Sequence, residues 1–429
     1  MKKAPRLLAT IAGIAAGGIA LTGCGGGAPA PEARTDVNVS LPNHTWTTAV
    51  QERIPEFEKA TGITVNLTTF GEDQLSDQYN VKLNTGSTDF DVMMFRPLQE
   101  GKLFVTNGWL GDMTERVNGS ADYNWADFQA GPVEAVTMDG KVYGVPLVTE
   151  RQILYYNTEM FANAGIAVPT TMEELEAAAA KLHDPSNGVY GFVSRGQRAA
   201  AVTQFSSYLY SFGGDFDTDG KATVDTPEAL AAYTFYSGML NKYGPPGTTE
   251  MSWPQALPVF AQGKAAMYTD ADSLMGNFND PATTSIIGKV GFAQFPAGPA
   301  GSKPYNIPSW AIGINEFSQN KENAWKFIEW ATSPETVLSI QGDGVPSARN
   351  SAWADPAGTA GFPEELVKVI AASAEVGVGH DRPLVVKVGE ARDIVGNPIV
   401  EGIEGRDVAA AAAAAQTAYQ AFLDEEAKQ

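Results

Sequence analysis

The chain has 429 residues, 44% hydrophobic and 18% charged, with a formal net charge of -21 at pH 7. That mixture describes a folded chain rather than a disordered one, and the length calls for two or three domains rather than one small core. The acidic balance argues against nucleic acid or an anionic membrane surface as a partner, and a single cysteine excludes an intramolecular disulfide or a thiolate metal cluster.

In chain order, Lys2, Lys3 and Arg6 precede the apolar run Leu7–Ala20. The run is too short to span a bilayer comfortably and small residues follow it, so residues 1–23 read as an export signal. Leu21-Thr22-Gly23-Cys24 resembles a bacterial lipobox, in which the cysteine becomes the first mature residue and carries acyl chains. Cys24 is therefore the expected lipidation site; an ordinary signal with a neighbouring cysteine is the competing reading. Residues 24–35, with the Gly-, Ala- and Pro-rich stretch Gly25–Arg34, read as a flexible tether. Removing the leader takes three positive charges and leaves the body more acidic still. The expected location is the outer face of the bacterial cytoplasmic membrane, touched through lipid only.

The body opens with Val37-Asn38-Val39-Ser40-Leu41, which alternates like a half-buried strand. Trp46, Val50, Ile54 and Phe57 recur at helical spacing, with Gly62 as the C-terminal stop and Pro55 as an expected kink or restart. Ile63, Val65 and Leu67 mark a second strand. Leu75, Tyr79 and Leu83 mark a helix ended by Gly86, and Val92–Phe95 reads as a buried parallel strand. Strands alternating with helices predict right-handed βαβ units and an α/β lobe. The pattern resumes at Lys141–Pro146 and passes through a polar knot to Ile153–Asn157. Thr171 with Glu174 predicts a capping box for a helix to about His183. Lys321–Thr332 carries one apolar face, Ser333-Pro334 starts another helix, and the tract Ala409–Ala415 is strong helix former.

Three stretches, in this order and behind a lipobox, carry a resemblance. They are Gly140–Pro146 continuing through Leu154-Tyr155-Tyr156-Asn157 to Gly165, then Val259-Phe260 through Gly263–Met267, and Ala311–Ile314 with Asn320–Ile328 and Ser333-Pro334-Glu335. Together they resemble the extracellular solute-binding proteins that include maltose-, trehalose- and polyol-binding components of ABC importers. The resemblance covers nearly the whole mature chain. It implies an α/β, two-lobed periplasmic-binding-protein fold with ligand in the cleft between lobes. Residues 36–148 and 297–340 would form the first lobe and 149–296 and 341–429 the second, with crossings near Leu147–Glu150, Phe295–Pro299 and Ile340–Gly344. The expected partners are a small carbohydrate or polyol, the permease subunits of an ABC importer and a separate ATPase subunit. The expected protein is a monomer with no cofactor.

Ligands of open α/β sheets bind beyond the carboxyl ends of strands, which selects Asn43, His44 and Trp46 after the first strand and Arg96 and Gln99 after Val92–Phe95. Glu150 and Arg151 lie in the polar knot. A polyol or sugar needs this mixture of aromatic faces for C–H surface and charged or amide groups for hydroxyls. Each residue has a plainer role open to it: Trp46 in the core, His44 in a polar loop contact, Arg96 at a strand end, Glu150 and Arg151 paired with each other. The resemblance places a ligand-contacting carboxylate at Glu150 and brings the neighbourhoods of Asp270, Asp272 and Trp310 towards the ligand. Pro308-Ser309-Trp310 stands where the family often has a Gly-Gly pair, which leaves the role of Trp310 open. Gln204 and Arg382 complete the candidates.

No G-x-S-x-G elbow, H-E-x-x-H helix or phosphate-binding loop occurs, so ATP hydrolysis belongs to another subunit. Tyr155 and Tyr156 are adjacent on a strand and face opposite ways, so they cannot share one metal ion. A binding protein that is not an enzyme is the reading. A lipid-anchored glycoside hydrolase or lectin is the alternative.

Overall fold

The structure is a computed structural model that describes residues 34–279 and 281–428. The signal segment, Cys24 and the tether up to residue 33 lie outside the described residues. Alternation over residues 37–41 becomes β1, Asp36–Pro42, with Val37, Val39 and Leu41 in the core. α1, Thr45–Thr61, ends at Gly62, whose φ of 70° is left-handed and suits a residue without Cβ. Pro55 neither breaks nor restarts α1, contrary to what its missing N–H predicts. It lies on the exposed face, where water can take the freed carbonyl, while Val50, Ile54 and Phe57 hold the flanking turns on the core.

β2, Thr64–Phe70, α2, Glu72–Asn84, and β3, Val92–Phe95, continue the lobe, and β2 and β3 flank β1 in parallel. β4, Val145–Asn157, is a single 13-residue strand where the sequence suggests two runs split by a polar knot. Thr149–Gln152 stay extended because strands on either side supply their ladder partners. α3, Met172–Leu182, is capped by Thr171, although Glu174 bonds back to the N–H of Thr170 rather than Thr171. There follow α4, Arg198–Ser211, α5, Trp253–Ala261, β5, Met267–Ala271, β6, Val290–Gln294, and β7, Asn306–Ile314. α6, Lys321–Ala331, and α7, Pro334–Gly342, precede α8, Val388–Ile403, and α9, Val408–Glu426, which contains the alanine tract.

The sheet runs β6–β4–β7–β3–β1–β2, with β5 also on β4. The first half of β4 pairs antiparallel with β7, and the second half with β5 and β6. One apolar core gathers residues from Val37 to Val148 and from Trp310 to Ala348. Beyond Gln152 the same strand enters a second lobe, where its alternate residues serve two cores: Leu154 on one face, Ile153 and Tyr155 on the other. The fold is thus α/β and two-lobed, with β4 and β7 crossing together as a ribbon. The resemblance implies further crossings near residues 295–299 and 340–344. Phe295 still packs in the second lobe and Ile340 in the first. The chain crosses at Asn306–Ser309, where β7 can satisfy its backbone on β4, and again after Ala348.

Candidate functional site

The carboxyl ends of β1 and β3, the middle of β4 and the start of β7 border a cavity of about 440 Å³, whose opposite wall is the second lobe. His44 lies just past β1 as the N-cap of α1. Its Nδ1 accepts the N–H of Trp46 at 3.1 Å, which leaves Nε2 towards Glu150 Oε1 at 4.0 Å. Burial pushes the His44 imidazole down to about 4, so the ring is neutral at physiological pH. Trp310 forms part of the floor, its ring 5.6 Å from that of His44 and 5.7 Å below the Arg96 guanidinium. Arg96 is aimed by Glu100 at 2.6 Å and Ser76 at 2.7 Å.

Glu150 faces the cavity from β4 and accepts the Ser273 hydroxyl at 2.5 Å. Burial raises its carboxyl to about 7; the Ser273 bond opposes that shift, and the charges of Asp272 and Asp270 add to it. Strand alternation turns the next residue away, so Arg151 pairs with Asp272 at 2.6 Å and not with Glu150. From the second lobe come Arg195, the first turn of α4 and Trp253 at the start of α5. Arg382 and Arg392 complete that wall. Asp270 grips Arg195 at 2.5 and 2.9 Å, and is itself held by Gln204 at 2.8 Å and the Tyr268 hydroxyl at 2.6 Å.

Of the sequence-selected residues, His44, Arg96, Gln99, Glu150, Trp310 and Arg382 line the cavity together. The others do not. Asn43 is exposed beside it, its N–H bonded to the Phe70 carbonyl. Trp46 is 2% exposed and belongs to the first core, because the apolar face of α1 carries it inward. Arg151 and Asp272 form a buried pair on the other side of β4, while Gln204 and Asp270 stand behind Arg195.

The lobes meet across this space. Gln99 Oε1 accepts from Arg382 at 2.6 Å and from Arg392 at 2.7 Å, the Trp253 indole donates to Glu72 at 3.2 Å, and Lys102 reaches the Leu384 carbonyl at 2.8 Å. A polar space between two lobes joined by a two-strand ribbon suits capture of a small solute. The model of the family described as bacterial extracellular solute-binding protein matches residues 43–337. The chain belongs to that family. Among curated relatives it is 27% identical over 344 residues to the erythritol/L-threitol-binding protein of Mycolicibacterium smegmatis, covering 75% of this chain and 70% of that one. It is 29% identical over 268 residues to the mannitol-binding protein of Pseudomonas aeruginosa, covering 61% of this chain and 60% of that one. A solute-binding protein of Agrobacterium radiobacter, solved in complex with ribitol, superposes with a TM-score of 0.82 at 28% identity, over 92% of this chain and all of the other.

In this solute-binding protein, Arg195, Arg392, Glu72 and Trp253 also line the cavity, outside the residues selected from the sequence. Arg195 follows the apolar pair Phe192-Val193, which makes only an isolated bridge at Val193 and no strand whose end could mark it. Arg392 has no sequence signal either: it lies within a helix whose facing only the packed lobe decides.

Proposed function

We propose that the protein is the lipid-anchored receptor of an ABC importer, capturing a small sugar, polyol or related carbohydrate between its lobes and delivering it to the membrane permease. The observation that carries this reading is the interlobe cavity of about 440 Å³, small by the standard of ligand pockets and lined by Trp310, His44, Glu150 and arginines from both lobes. Trp310 offers an aromatic face to C–H surface, and Glu150, Arg96, Gln99, Arg195 and Arg382 offer hydrogen bonds to hydroxyls. The relatives named for erythritol, threitol and mannitol and the neighbour holding ribitol support a solute of that size. Asp270 and Gln204 position Arg195 in this scheme, and Cys24 holds the body at the outer membrane surface.

A thermal-shift panel of sugars, polyols and sugar acids tests the reading. A solute at a hundred times its dissociation constant stabilises the native state by about 2.7 kcal/mol. No shift with any of them would overturn it, and cleavage of oligosaccharides on incubation would favour a glycoside hydrolase instead. For the anchor, Cys24→Ser is expected to move the protein from the membrane fraction to the medium; full retention on the membrane would refute lipidation.

A further inference from the structure

The cations of the cavity wall are not equally compensated. Arg96 has Glu100, Arg195 has Asp270 and Arg382 has Asp381, each in direct contact. Arg198, also on the wall, is exposed to water, but Arg392 is different. It is 7% exposed and lines the cavity, and its guanidinium donates only to neutral oxygens: the Ala199 carbonyl at 2.8 Å, Gln99 Oε1 at 2.7 Å and the Thr203 hydroxyl at 3.1 Å. No carboxylate among the described residues lies within ion-pair distance of it. Burial and then the Arg382 charge press its proton off; Asp381 resists, and Arg96 and Arg195 press further. Asp381 is already held by two nitrogens of Arg382, and Asp393, the adjacent acid, is exposed at the rim. Of the two guanidiniums on the Gln99 amide oxygen, only Arg382 holds a carboxylate; the acids that line the cavity, Glu72, Asp73, Glu150 and Asp393, make no ion pair with Arg392.

An unpaired buried charge is costly, and an arginine answers it best with a planar oxyanion bound through two parallel hydrogen bonds. The place for that oxyanion has donors beyond Arg392. The N-cap of α4, Gln197, supplies no side-chain hydrogen bond, and the first-turn residues Ala199 and Ala200 line the same wall. A helix N-terminus adds partial positive charge there. Binding a neutral solute would leave the Arg392 charge buried and uncompensated, whereas an acid neutralises it on entry.

We propose that the solute is an acidic carbohydrate: a polyol or sugar carrying a carboxylate or phosphate that binds at Arg392, with its C–H surface towards Trp310 and its hydroxyls towards Glu150. This rests on the carbohydrate-receptor reading above and narrows it. The test is calorimetric titration of the purified protein with matched pairs: erythritol and erythronate, ribitol and ribonate, mannitol and mannonate, with mannitol 1-phosphate to separate phosphate from carboxylate. One acid is expected to bind at least about tenfold more tightly than its neutral partner, an advantage of about 1.4 kcal/mol that shrinks as salt is raised. Arg392→Gln is expected to bring the acid-to-neutral ratio down towards one. Arg392→Lys keeps the charge but loses the fork, and should retain part of the ratio, which guards against a variant that merely misfolds. A neutral polyol that binds as tightly as its acid, or better, overturns the proposal and leaves the receptor reading intact. Failure of every acid, polyol and neutral sugar to bind overturns both.

Discussion

Glu150 is the residue whose chemistry most depends on its surroundings. Its carboxyl, raised to about 7, makes ionisation unfavourable in the folded state. A carboxyl raised above its unfolded value contributes stability that is fully present below about 4.5 and is lost as pH rises through about 7. The loss is about 3 kcal/mol at most, because opening of the cleft rehydrates the group. Glu150→Gln is therefore expected to melt higher than the parent at pH 8 and to match it near pH 4, by scanning calorimetry without ligand. Binding should show the complement. Hydroxyl donors from a ligand favour the carboxylate, so affinity rises with pH until about 7 and then levels, and the variant loses that dependence. A binding profile in the variant as steep as in the parent would remove Glu150 from the site. Asp270 is the contrasting case. It does not face the cavity, yet Asp270→Asn leaves Arg195 buried without its counter-ion, and a cost of about 3–5 kcal/mol is expected in denaturant unfolding.

Among the elements, β4 carries the most. Its first half belongs to one lobe and its second to the other, so its polar middle sits where cleft and crossing coincide. On its far half Tyr156 lies opposite Gly291 of β6, and a Cβ at Gly291 would stand 2.2 Å from the tyrosine ring. The ring covers the glycine in the adjacent strand, and a side chain there would have to push the ring aside. Gly291→Ala is expected to cost about 1–3 kcal/mol through overpacking, read as a lower unfolding midpoint with an unchanged denaturant slope. The N-cap of α7 is a milder case: Ser333 accepts the Thr336 N–H at 3.2 Å, and Ser333→Ala should cost about 1 kcal/mol.

For the whole molecule, the contacts between lobes make closure a sum of a few polar bonds. Gln99 contributes two of them, both to guanidiniums of the opposite lobe. Hinged closure of this kind is how periplasmic binding proteins take up ligand. The closed form is expected to be favoured by ligand, so small-angle scattering should give a smaller radius of gyration at saturation than without solute. Gln99→Ala removes bonds worth about 1.5–3 kcal/mol. It should therefore weaken binding and enlarge the unliganded molecule; equal radii for parent and variant, with equal affinity, would separate Gln99 from closure.

The elements of this protein were largely legible in its residues, for a local reason. Alternation in β1, the helical stripe of α1, the left-handed stop at Gly62 and the cap at Ser333 are each set by neighbours within a few positions. The strand-end rule likewise reached His44, Arg96 and Gln99, because strand direction follows from the order of elements. Side-chain facing did not follow. Trp46 and Arg151 have the composition of ligand contacts, and only packing shows one turned into the core and the other turned behind β4 by strand alternation. The joining of two apolar runs into one 13-residue strand needed partners more than a hundred residues away. Arg392 needed more: that its charge lacks a carboxylate is a property of three elements brought together, and no window of sequence contains it.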